Sequence, residues 1–266
     1  AVAVLCLLAA PAAAGVRIET IDARSLEGEL LSVADGKVAL AVDGSRQELP
    51  LDGVLEIVVV AADGAGDEPA LMDRRGQAVL VMPGGEQMAA GGLTFAEGTF
   101  RFDHPLAGAV VLPPEAVEIV YLPPRPQAPG ELRRACEELD LGERTRDVLV
   151  IARDEKDLVA LDGVLKAADA AEVLFRWKGS DRSVARKLVR AIRLAAVGRA
   201  EGRSHGTAVA ADGSMLPFDA LAAAGGSVTV QVPHLGSRTF PLARVAALRF
   251  RSSRVVDLAE LEPAEV

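Results

Sequence analysis

Lys37–Val42 alternates without a break: Val38, Leu40 and Val42 fall on one side of an extended chain, and Lys37, Ala39 and Ala41 on the other. A period of two predicts a half-buried strand. Val16–Ile21 and Leu26–Val33 read as strands before it, and Gln47–Leu51 and Leu55–Val60 as strands after it. Asp35-Gly36 and Asp43-Gly44 supply two-residue hairpin chemistry between them, and Asp52-Gly53 marks a further tight turn. Five short strands joined by tight turns predict a small barrel or half-barrel of the SH3-like or Sm-like kind, whose closure removes exposed sheet edges.

The same pattern returns three times. Sliding the stretch Asp22–Val60 along the chain lays Leu26, Val38, Leu40 and Ile57 on Met88, Phe100, Phe102 and Ile119. A longer slide lays Leu26, Gly28, Val38, Leu40, Val54 and Ile57 on Leu161, Gly163, Val173, Phe175, Val189 and Ile192. A third lays Val38, Leu40 and Val42 on Val228, Val230 and Val232, and one inserted residue then brings Pro50, Val54 and Ile57 onto Pro241, Val245 and Leu248. Internal repetition of this kind predicts an array of related units. The expected organisation is a unit over 15–62, a second over 63–124, a linker and short helix over 125–142, a third unit over 143–200, a fourth over 201–252 and a hinge over 253–266. The fold class is therefore all-β with one short helix.

Asp63–Asp67 reads as a short linker, and Pro123–Gly130, PPRPQAPG, as a stiffer, extended spacer. The spacer predicts a two-and-two grouping, with the first two units on one side and the last two on the other. Glu131–Leu141 carries Leu132, Ala135, Cys136 and Leu139 on one helical face. Ser180–Leu194 fits either a helical stripe or a turn followed by a strand; the repeat favours a strand over Arg190–Ala196 with a helical turn before it. A short strand is expected at Arg254–Leu258.

Composition narrows the chemistry. About half of the 266 residues are hydrophobic but only 3% are aromatic, so Val, Leu and Ala must build the core. A formal net charge of -9 argues against a nucleic-acid partner, which requires clustered Lys and Arg. Residues 1–14, AVAVLCLLAAPAAA, read as the end of a signal peptide with cleavage before Gly15; the alternative is a buried core helix. The run is short of the roughly 20 residues that span a bilayer, so no membrane span is expected after its removal. Localisation is then secreted, periplasmic or at the cell surface. The two cysteines are Cys6 and Cys136. Once the leader is gone, Cys136 has no internal disulfide partner, and it falls in the apolar stripe of the helix.

Candidate site residues are few. Arg182, Arg186, Lys187, Arg190 and Arg193 form the one basic cluster and are the candidates for surface binding, against the plainer reading of a solvated face. Trp177 and His104 both fall in the column of Val42 and Val232, so each reads as a core position: a packed indole rather than a sugar platform, and a partly buried, hydrogen-bonded imidazole. His104, His205 and His234 lack metal-ligand spacing. Glu137 and Glu138 sit on the short helix, Asp154, Glu155 and Asp157 crowd a hairpin, and the acids in general occupy turns and outer strand faces, where solvation is the default. Phosphate-cradling and nucleophile-elbow motifs are missing from the sequence. The expectation is a protein without cofactor or metal, and not an enzyme.

Asp147–Leu194, which contains DVLVIARDEKDLVALDGVLKAADAAEVLFRWKG and RKLVRAIRL, and Gly206–Val266, with GTAVAADGSMLPFDAL, FPLARVAALRF and RVVDLAELEPAEV, resemble part of a family of large secreted bacterial proteins. In that family small β units precede a C-terminal NPCBM module, a carbohydrate-binding jelly roll, and Val256–Pro263, VDLAELEP, is similar to the hinge running into it. The resemblance implies a non-catalytic scaffold that presents a carbohydrate-binding module at the cell surface. It implies no functional residues within these units. The alternatives are that the units themselves bind a polysaccharide, cell-envelope or protein partner, or that they form an accessory part of a glycoside hydrolase.

Overall fold

The computed structural model describes residues 15–60, 77–122, 139, 145–153, 157–195 and 204–252. The expected signal peptide, the linkers Asp63–Asp67 and Pro123–Gly130, the helix Glu131–Leu141 (Leu139 apart) and the strand Arg254–Leu258 lie outside the described residues. Within them the protein is all-β.

Each of the four units has the same order of elements. The first comprises β1 (Gly15–Thr20), β2 (Ser25–Ala34), β3 (Lys37–Val42), β4 (Ser45–Pro50), a 3-10 turn at Leu51–Gly53 and β5 (Val54–Val59). The second comprises β6 (Ala78–Val81), β7 (Gln87–Ala96), β8 (Thr99–His104), β9 (Gly108–Leu112), a 3-10 turn at Pro114–Ala116 and β10 (Ile119–Tyr121). The third comprises β11 (Asp147–Ala152), β12 (Leu158–Ala168), β13 (Glu172–Trp177), β14 (Ser180–Ala185), a 3-10 turn at Arg186–Leu188 and β15 (Val189–Arg193). In the fourth, the long second strand is divided: β16 (Gly206–Ala210), β17 (Met215–Phe218), β18 (Ala220–Ala224), β19 (Ser227–Val232), β20 (Gly236–Pro241), a 3-10 turn at Leu242–Arg244 and β21 (Val245–Phe250). The ambiguous stretch after Ser180 thus follows the repeat, with a single 3-10 turn where a helical stripe also fitted.

The turns explain why the units match. Asp43 and Gly44 have φ of 49° and 78°, and Asp35 and Gly36 have φ of 51° and 70°. Both central residues are left-handed, which is the geometry whose twist suits a two-residue hairpin. Lys178-Gly179 closes β13 onto β14 in the same way, at 50° and 79°. In the second and fourth units this turn is one residue longer: Pro105, Leu106 and Ala107 stand between the paired His104 and Gly108, and Pro233, His234 and Leu235 between Val232 and Gly236. The extra residue corrects the gap-free alignment of the second unit. Ile57, Ile192 and Leu248 are 0%, 2% and 0% exposed, and the second unit fills that position with Val120 at 0%. Ile119, matched to Ile57 by the gap-free slide, is half-buried on the opposite face.

The units do not pair in chain order. β5 of the first unit lies antiparallel to β21 of the fourth, with Ile57 opposite Leu248. β10 of the second lies antiparallel to β15 of the third, with Val120 opposite Ile192. Equivalent residues therefore meet in both pairings, about a local two-fold relation. β2 also pairs with β18, and β12 with β7. The outer two units share an 11-stranded sheet and the inner two a 10-stranded sheet. The expected grouping of first with second and third with fourth is thus overturned. The closing strands find complementary edges in the nested partner rather than in the chain neighbour.

One apolar core runs through all four units. The sheets meet where β17 lies against β7. A second, smaller apolar cluster (Val79, Tyr121, Val148, Val150 and Ala191) occupies the other face of the 10-stranded sheet, and Leu139 packs against it. Gly163 on β12 shows how tightly the strands fold over: a Cβ there would run into the Arg176 carbonyl and the Phe175 ring. The matching Gly28 would strike the Ala41 carbonyl in the same way.

Candidate functional site

The five basic residues lie on and after β14, but they do not form one surface. Arg182 stands opposite Phe175 and is exposed. Arg193 stands in register with Ile119 and Val148, on the face of the smaller apolar cluster, with its guanidinium 3.8 Å from Glu118 Oε1. Lys187 is exposed on the 3-10 turn, and its carbonyl accepts a hydrogen bond from Arg190 Nη1 at 2.7 Å.

Arg186 opens that turn and acts as a tie. Its Nη1 donates to the Asp169 carbonyl at 2.8 Å within its own unit and to the Leu93 carbonyl of the second unit at 3.4 Å. Burial lowers the guanidinium pKa, and the Asp169 charge opposes that shift. Asp169 itself is held low by N–H donors from Glu172 and Ala171, at 2.8 and 2.7 Å to its Oδ1. Arg190 loses basicity to burial alone. Arg182 and Lys187 are thus the two exposed cations of the five.

Arg186 ties two units of one sheet, whereas a second polar group joins the two sheets. His104 ends β8 and is 2% exposed. Its Nδ1 accepts from the Leu106 N–H at 3.1 Å and the Ala107 N–H at 3.3 Å, both in the three-residue turn. With Nδ1 taken by two donors, the ring proton sits on Nε2, which donates to the Met215 carbonyl of the fourth unit at 3.1 Å. Burial pushes the imidazole pKa down to about 4; the Met215 bond and the Asp212 charge only partly offset it. Arg244 donates to the Pro105 carbonyl across the same junction. Glu86 adds a third tie: its Oε1 accepts from Ser204 N and Oγ at 3.0 and 3.1 Å, with Arg251 Nη1 at 4.0 Å. The three-residue turn after His104 supplies both donors to its Nδ1, and sequence reading missed that geometry. The only signal for it was the extra residue between His104 and Gly108.

Trp177 packs half-buried against the core, with Lys178 Nζ 4.6 Å from the ring centroid. Several of the described acidic side chains pair on the surface. Asp181 is bound to Arg176 at 2.7 Å and Glu48 to Arg46 at 2.8 Å, and in each the hydrogen-bonded cation lowers the carboxyl pKa. Among the described residues no three His, Cys, Asp or Glu side chains gather as a metal-holding group. Among the same residues no helix is long and apolar enough to cross a membrane. No protein-family model and no curated protein matches the chain.

Proposed function

We propose that the chain is a non-catalytic, exported scaffold whose units present a C-terminal carbohydrate-binding module at the cell surface. The joined architecture is the observation that supports this reading. Four units share two sheets and one continuous core, so residues more than a hundred positions apart in sequence are in direct contact. Shared sheets and a shared core suit a scaffold, because they hold the four units in fixed places relative to one another. The buried histidine fits the same reading, since both its ring nitrogens are committed to the fold.

A second reading rests on the exposed Arg182 and Lys187: the units themselves grip an anionic polysaccharide or protein. The experiment is retention of residues 15–266 on insoluble cell-wall polysaccharide. The scaffold reading expects none. Retention that is lost in an Arg182→Glu, Lys187→Glu variant would replace it with the second.

A further inference from the structure

The fourth strand of every unit ends its sheet. β4, β9, β14 and β20 each pair with one neighbour only among the described strands. Such edges expose unpaired backbone groups and invite another strand, and proteins blunt them with charged or polar side chains. The four equivalent edges offer an internal comparison. On β4 the two outward positions are Arg46 and Glu48, bridged to each other, and Glu48 also bridges to Lys37. On β14 they are Asp181 and Ser183, tied to Arg176 and Glu172 of the adjacent strand. On β20 they are Ser237 and Thr239, the latter bonded to Thr229 at 2.9 Å. On β9 they are Ala109 and Val111. Both are exposed, and Val111, at 52%, is the most exposed of the large apolar residues described. β9 alone carries no polar side chain.

We propose that β9 is a docking edge for a second copy of this chain, joined antiparallel about Val110. In this register Val111 lies opposite Ala109 of the second copy, and the reverse holds by symmetry. The charges beside the edge favour that pairing. Arg101 lies directly beside Val111, and Asp103 directly beside Ala109, on β8. Each row across the joint then runs Arg101, Val111, Ala109, Asp103, so a cation of one copy faces an anion of the other in both rows. The two flanking residues stand about 14 Å apart along the row. A long arginine side chain can lie over small apolar neighbours to close most of that gap. The protein already joins its units by antiparallel closing strands, β5 to β21 and β10 to β15, so the same mode between molecules uses geometry the fold has. Pro113 and Pro114 end the strand, which confines the contact to a few residues and makes the dimer weak.

Sedimentation equilibrium over a wide concentration range tests this, with circular dichroism to verify that each variant folds. The wild type should show concentration-dependent dimer. Val111→Lys, at an exposed position, should weaken it by at least about tenfold, close to 1.4 kcal/mol. Asp103→Arg sets Arg101 against a new cation in both rows and should weaken the dimer also. Adding Arg101→Asp to that variant should restore it. A wild type that stays monomeric throughout, or a Val111→Lys protein that dimerises equally, overturns the proposal. So does an Asp103→Arg protein that dimerises like the wild type, or a pair of exchanged charges that restores nothing. An extended peptide that binds β9 while the chain stays monomeric would assign the edge to a different occupant and likewise overturn it.

Discussion

Acidification should loosen the joint between the sheets through His104. The free imidazole titrates near 6.5, whereas burial holds the folded one at about 4. The unfolded chain therefore binds a proton that the folded chain refuses between these values. Stability contributed by the neutral ring is present above pH 6.5 and is lost as pH falls toward 4. Linkage gives a loss of about 2 kcal/mol between pH 7 and pH 5, and roughly 3 kcal/mol by pH 4. The structural cause is specific: a proton on Nδ1 would displace the Leu106 and Ala107 N–H donors and place a charge in a site 2% exposed. Urea unfolding at a series of pH values, for the wild type and for His104→Val, isolates the effect, because valine fills the equivalent position of the fourth unit. The variant should be weaker at pH 7, having lost the Met215 bond, but its pH dependence should be flatter by the amounts above. Equal pH dependence in the two proteins would refute the reasoning. So would an NMR titration of His104 with its midpoint near 6.5.

Three further outcomes follow from the geometry. Gly163→Ala should destabilise by about 1–3 kcal/mol in denaturant unfolding, because its Cβ meets the Arg176 carbonyl and the Phe175 ring with no room to yield. Arg186→Met should cost about 1–3 kcal/mol through the two carbonyls it leaves, while Lys187→Met should stay within about 0.5 kcal/mol. A cleavage placed between residues 123 and 130 should leave the two pieces eluting together, since β5–β21 and β10–β15 pair across it; separate halves would refute the nested pairing.

Much of the unit was legible in the sequence, and most of the assembly was not. The alternation of Lys37–Val42 and the Asp-Gly turns are local signals, and each produced the strand or hairpin expected. Trp177 and His104 were placed by their repeat column alone, and both pack as that column requires. The displacement of Ile119 by Val120 came from a single turn residue that an unbroken slide cannot register. The pairing of β5 with β21 left no local trace, since every closing strand is a similar apolar run and only the fit of whole edges chooses among them. The basic residues looked like a cluster because they are near in sequence. A 3-10 turn puts Arg182 and Arg193 on different strands, the first on the edge strand β14 beside Phe175 and the second on β15 between Ile119 and Val148, so closeness in sequence does not carry over into space.

The nesting of first with fourth and second with third also sets an order in time. A chain delivered from its N-terminus has β5 in hand about 190 residues before β21 arrives. At roughly 5–20 residues per second this is a delay of about 10–40 s. Before that interval ends the inner pair gains its second half, with β15, and can close, while the first unit waits with one flank of its sheet bare. The nesting thus favours closure from the middle outwards, with β21, the last of the described strands, sealing the first unit made.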